Sequence, residues 1–115
     1  MSAPAIDRAT FEALKETTGA QFVLELVDTF LQEAPSMLDD LRRALAAKDA
    51  DKFRRTAHSL KSNSNTFGAL TLGAMARDIE LGGLASMEGR GSQPLDALAE
   101  EYARVAAALA GMRNG

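Results

Sequence analysis

The chain has 115 residues, 46% hydrophobic and 25% charged, with a net charge of -3 and an isoelectric point near 5.1. That length makes one domain, residues 1–115, large enough to bury roughly two-thirds of the surface its unfolded chain exposes without a disulfide or metal. The lack of cysteine excludes disulfide scaffolding, thiol catalysis and thiolate metal sites, and the acidic balance argues against nucleic acid as the main partner.

Asp7, Arg8, Glu12, Lys15 and Glu16 interrupt the first twenty residues, so no apolar signal-peptide core is present there. No apolar run is long enough to span a bilayer, so no membrane contact is expected and the expected location is the cytoplasm. Residues 1–9 read as a loose N-terminus or a short helical start, and 113–115 as a loose end. Thr10 caps a brief helix carrying Phe11 and Leu14, and Gly19 ends it. Residues 20–33 form a helix with Phe22, Val23, Leu26, Val27, Phe30 and Leu31 at three- and four-residue spacing. Pro35 disfavours helix at Ala34 but suits a first turn, so residues 20–47 are either one kinked rod or two helices. A third helix starts at Asp49 or Ala50 and runs to about Phe67, where Gly68 supplies a left-handed stop. A fourth covers about Thr71 to Leu84. Residues 86–94, with Gly89, Gly91 and Pro94, form a loop. Ser92 caps a last helix that turns Leu95, Leu98, Tyr102, Val105 and Leu109 inward. The pairs Asp39–Asp40 and Glu100–Glu101 read as solvated helix faces. The expected fold is all-α: a mainly antiparallel four-helix bundle with a short N-terminal helix.

His58 is the single histidine, and histidine is the one side chain that ordinarily changes charge near neutral pH. On a wheel of 100° per residue, Phe53, Ala57, Leu60, Ser64 and Phe67 form the core stripe of the third helix, and His58 lies roughly 140° from its centre. Arg54, Lys61 and Ser62 are one turn away, and Arg55 and Asn65 extend this polar side. The arrangement suits exposed chemistry, although the wheel alone fits an ordinary surface histidine equally well. A metal site lacks ligands, because there is no second histidine and no carboxylate one turn from His58. Nothing marks a nucleophile elbow, an oxyanion hole or a Walker-type phosphate loop.

The string His58-Ser59-Leu60-Lys61-Ser62-Asn63-Ser64-Asn65-Thr66-Phe67-Gly68-Ala69 changes that balance. It resembles the histidine phosphotransfer (HPt) domains of two-component phosphorelays. Their motif is a histidine, an apolar residue two on, lysine three on, small residues four to six on and glycine ten on. Leu60, Lys61, Ser62, Ser64 and Gly68 occupy those places, and Ala57, Phe22 to Leu45 and the run Leu72 to Leu81 with Glu80 are similar too. Ser62 departs from the pattern, which usually has glycine there.

The resemblance implies a phosphocarrier, not an enzyme, with no autokinase activity. His58 would accept a phosphoryl group from a phospho-aspartate of a receiver domain and pass it to another receiver. Lys61 would stabilise the phosphoryl charge, and Arg54, Arg55, Ser62 and Asn65 would support or bind the partner. The chain would need no cofactor, because the receiver would bring the Mg²⁺. Response-regulator receivers are the implied partners, with a hybrid histidine kinase as another candidate. Residues around Phe22, Leu26, Thr29 and Phe30 are docking candidates, though bundle core explains most of them as well. Two other readings remain open: a helical module that binds a receiver or histidine kinase without carrying phosphate, and an enzyme using His58 as a general base. The last is disfavoured because a convex helix face has no pocket to exclude water.

Overall fold

The computed structural model describes residues 4–114, with the backbone alone at residues 113 and 114. Among these, the elements are α1 (Arg8–Thr18), α2 (Ala20–Ala47), α3 (Ala50–Thr66), α4 (Leu70–Gly82), a 3₁₀ turn (Leu84–Met87) and α5 (Gln93–Asn114). No strand is present among the described residues. α2 packs on α3, α3 on α4, α4 on α5, and α5 returns to α2, closing a four-helix bundle, while α1 lies against α2 and α3. The core is one cluster from every helix, with Phe53, Leu41, Leu60, Leu72, Leu98 and Leu109 wholly enclosed. Each such side chain contributes about 1.5–3 kcal/mol by leaving water.

α2 is one continuous helix with Pro35 inside it. Proline cannot donate to the carbonyl four residues back, that of Leu31. The Tyr102 hydroxyl of α5 donates to that carbonyl at 3.3 Å and occupies the vacated acceptor. Tyr102 also meets Phe30 edge-on, with ring centroids 5.9 Å apart. A tertiary contact thus supplies what the helix lacks.

Two tight turns set α3 beside its neighbours. Lys48 takes a left-handed conformation (φ 57°) that ends α2, and Asp49 caps α3 by accepting from the Lys52 amide at 3.1 Å. At the other end Gly68 adopts φ 85°, and a Cβ there would stand 2.7 Å from the Asp7 carbonyl. The Gly68 carbonyl accepts from the Asp7 amide at 2.7 Å, tying the chain's start to the α3–α4 turn.

Of the two readings of the N-terminal segment, its described part takes the helical start, with α1 beginning at Arg8. Ile6 is buried, and Asp7, rather than Thr10, caps α1 by accepting from the Thr10 amide. Residues 1–3 and 115 lie outside the described residues, and α5 runs through the expected loose end at 113 and 114. α4 stops at Gly82 rather than Leu84, because Gly83 turns the backbone to φ 60° and the 3₁₀ turn follows. Glu101 is not on a solvated face: it is 7% exposed and pairs with Arg104 at 2.9 Å.

Candidate functional site

α3 presents Phe53, Ala57, Leu60 and Ser64 to the core, so the opposite side of the same helix faces outward. His58 stands on that outward side with its side chain 58% exposed. Its ring is nevertheless held. The His58 Nδ1 lies 2.7 Å from Oε2 of Glu80 on α4. The other carboxylate oxygen of Glu80 lies 2.8 Å from the Lys61 ammonium. One carboxylate therefore bridges the histidine and the lysine one turn beyond it. Both partners of that bridge are sheltered, Glu80 at 16% exposure and Lys61 at 23%.

Glu80 reaches α3 because the two helices lie close together. Gly73, two turns before Glu80 on the same face, is buried against the side-chain amide of Asn65, where a Cβ would collide with the amide oxygen. His58 and Asn65 are seven residues apart on α3, as Gly73 and Glu80 are on α4, so the two contacts run antiparallel in matched register.

The electrostatics fix the chemistry of the ring. The Lys61 hydrogen bond is the main cause holding the Glu80 carboxyl below the ordinary carboxylate range; partial burial opposes it and the His58 bond adds to it. An ionised carboxylate can only accept, so Nδ1 carries the hydrogen and donates to Glu80. In the neutral ring, Nε2 then keeps its lone pair. The arrangement is a nucleophilic nitrogen of defined tautomer, on an exposed helix face, with a cation one turn away.

The other sequence-derived candidates are placed less directly. Arg54 and Arg55 are exposed and both bind Asp51, at 3.1 and 3.3 Å, rather than His58. Ser62 is exposed one turn after His58, and Asn65 covers Gly73. Of the α2 docking candidates, Phe30 belongs to the core, Leu26 is half-buried, and Thr29 and Phe22 are exposed, Phe22 at 50%. Leu26, Thr29 and Phe30 line a shallow groove with Asn63, Thr66 and Phe67. Glu80 was seen in the sequence only as part of a similar run, without a site role. It lies 22 residues from His58, and only the interhelical register reveals the pairing. Among the described residues no group of three or more His, Cys, Asp or Glu side chains could hold a metal ion.

A family model for the Hpt domain matches residues 25–114. The chain belongs to the Hpt domain family. The crystal structure of histidine-containing phosphotransfer protein B (HptB) from Pseudomonas aeruginosa PAO1 matches this Hpt domain with a TM-score of 0.87 at 29% identity, over 98% of this chain and 97% of that one. Comparison with curated proteins gives no match. The family and the structural neighbour support a phosphotransfer role in two-component signalling. Hpt domains are phosphocarriers rather than enzymes, and no described helix of this one is long and apolar enough to cross a membrane.

Proposed function

We propose that this Hpt domain is a cytoplasmic phosphorelay intermediate that takes a phosphoryl group from a phospho-aspartate of one receiver domain onto His58 and gives it to an aspartate of another. The observation that carries the reading is the exposed His58 ring held through Nδ1 by Glu80, with Lys61 on the same carboxylate. In the forward step Nε2 attacks phosphorus, the N–P bond forms, and the P–O bond to the aspartyl carboxylate breaks. The departing carboxylate takes the electron pair. The ring becomes a phosphoimidazolium whose Nδ1 keeps its hydrogen and donates it to the Glu80 carboxylate, and the reverse step returns a neutral ring. Such transfers depend on alignment and charge stabilisation more than on many covalent participants. Lys61 supplies the charge stabilisation, and Mg²⁺ is assigned to the receiver. No autokinase activity is assigned to the chain.

The test is a two-stage transfer. A receiver charged with acetyl phosphate is mixed with the domain and removed, and a second, uncharged receiver is added. Label passing to the domain and then to the second receiver supports the relay. Binding without label would favour the helical interaction module, a reading that Ser62 at the usual glycine place keeps in view.

A further inference from the structure

We propose that the docking surface for the phospho-aspartyl partner extends beyond α3 onto the outer edge of α4, with Arg77 as its charged contact and Leu81 as its apolar one. The inference rests on the phosphotransfer reading of His58 and adds a second helix to the partner's footprint.

The first observation is the exposure pattern of α4. Leu72, Gly73, Ala76 and Ile79 are buried, while Leu70, Ala74, Arg77 and Leu81 are exposed at spacings of four, three and four. That spacing puts them on one stripe. By the same geometry the stripe lies on the outward side of Gly73 and Glu80, the two residues that meet α3, and opposite Leu72 and Ile79, which meet the core. It is continuous with the His58 face. Leu81 follows Glu80 directly and is 69% exposed, more than Phe22 at 50% or Leu70 at 49%.

The second observation is charge. Four cations lie on the outward face of α3 and the adjoining edge of α4: Arg54, Arg55, Lys61 and Arg77. Arg54 and Arg55 share Asp51, and Lys61 is engaged by Glu80. Arg77 has no ion pair or hydrogen bond to its side chain among the described residues. Asp78 points elsewhere, lining the groove with Met75, Arg90 and Pro94. Four cations against two carboxylates leave a positive face on a chain whose net charge is -3. A partner centred on an acyl phosphate is an anion, so this face is complementary to it. Side chains tilt toward a helix's N-terminus, so Arg77 leans away from His58 along α4. It therefore meets the partner's rim rather than the transferred group.

The experiment uses a receiver domain charged with acetyl phosphate and found to label the wild-type chain. Transfer rates are measured against receiver concentration at low and at high salt for the wild type, Arg77→Glu, Leu81→Ser and Arg90→Glu. Arg90→Glu makes the same charge change on the α4–α5 side. Phosphoramidate labelling, which needs no protein partner, is measured in parallel. The expected result is a half-saturating receiver concentration raised about three- to tenfold by Arg77→Glu at low salt and less at high salt. Leu81→Ser raises it at both salts, Arg90→Glu stays within twofold of wild type, and saturated rates are retained. Equal effects of Arg77→Glu and Arg90→Glu, or no effect of Arg77→Glu, would overturn the proposal. A parallel loss of phosphoramidate labelling in Arg77→Glu would overturn it too, by placing Arg77 at the phosphoryl group. If no charged receiver labels the wild type, the phosphotransfer reading itself fails and this inference fails with it.

Discussion

Replacing Tyr102 by phenylalanine tests why a proline sits inside the longest helix without breaking it. The substitution keeps the ring and its edge contact with Phe30 and removes only the hydroxyl that donates to the Leu31 carbonyl at 3.3 Å. A neutral hydrogen bond of this kind is worth about 1 kcal/mol net, and leaving a part-buried carbonyl without a partner costs a similar amount. For a domain of this size that is a fall of about 4 °C in Tm. The assay is thermal and urea unfolding followed by circular dichroism. The decisive variant is Pro35→Ala, which restores an N–H for Leu31. In that background Tyr102→Phe should cost about half as much, a coupling of about 0.5 kcal/mol in a double-mutant cycle. Equal costs in both backgrounds would refute the idea that Tyr102 stands in for the missing amide. There is a pH signature as well. Burial raises the Tyr102 hydroxyl above its usual value, so its contribution is fully present below pH 10 and is lost as pH rises through the folded-state value. Tyr102→Phe should remove that alkaline loss.

Other consequences follow from the Glu80 bridge and the α3–α4 contact. Lys61→Ala should move the Glu80 titration up toward the ordinary carboxylate range, read by carbon-detected NMR, because Lys61 is the main cause of its depression. In the wild type the stabilisation from this bridge is present above the unfolded carboxyl value and disappears as pH falls through the lower folded one. The same variant should slow phosphoryl transfer by roughly tenfold without stopping it, the loss of one charge-assisted contact; an unchanged rate would remove Lys61 from its assigned role. Gly73→Ala should leave stability unchanged or raise it by up to about 1 kcal/mol through helix propensity, with Asn65 swinging outward from the new methyl. A marked drop in Tm would show that the helices, rather than the exposed amide, had to move.

Much of this molecule was readable from local pattern. The core stripe of α3 and the outward placement of His58 follow from residue spacing alone, and Gly68 ends α3 as a left-handed residue should. What the sequence concealed depends on partners distant in the chain. Whether Pro35 divides α2 turns on Tyr102, 71 residues from the carbonyl it serves. Glu80 becomes a site residue only when α3 and α4 pack in the register that sets it beside His58 and Lys61. Asp7 rather than Thr10 caps α1 because its backbone is already held by Gly68. Glu101 is sheltered within the bundle beside Arg104, although its neighbour Glu100 is exposed. Phe22 shows the opposite failure, since it shares the apolar spacing of α2 yet is half exposed.

Phosphate uptake by the wild type and by His58→Gln decides whether His58 is the phosphoryl acceptor. Each is incubated with a panel of phosphorylated receiver domains, and acid-labile, base-stable label is measured alongside circular dichroism and melting. His58 is 58% exposed, so the variant should fold and melt as the wild type does. Label is expected on the wild type and none on the variant. Label on both would move the chemistry away from His58, and label on neither, with receiver binding intact, would contradict the phosphotransfer reading.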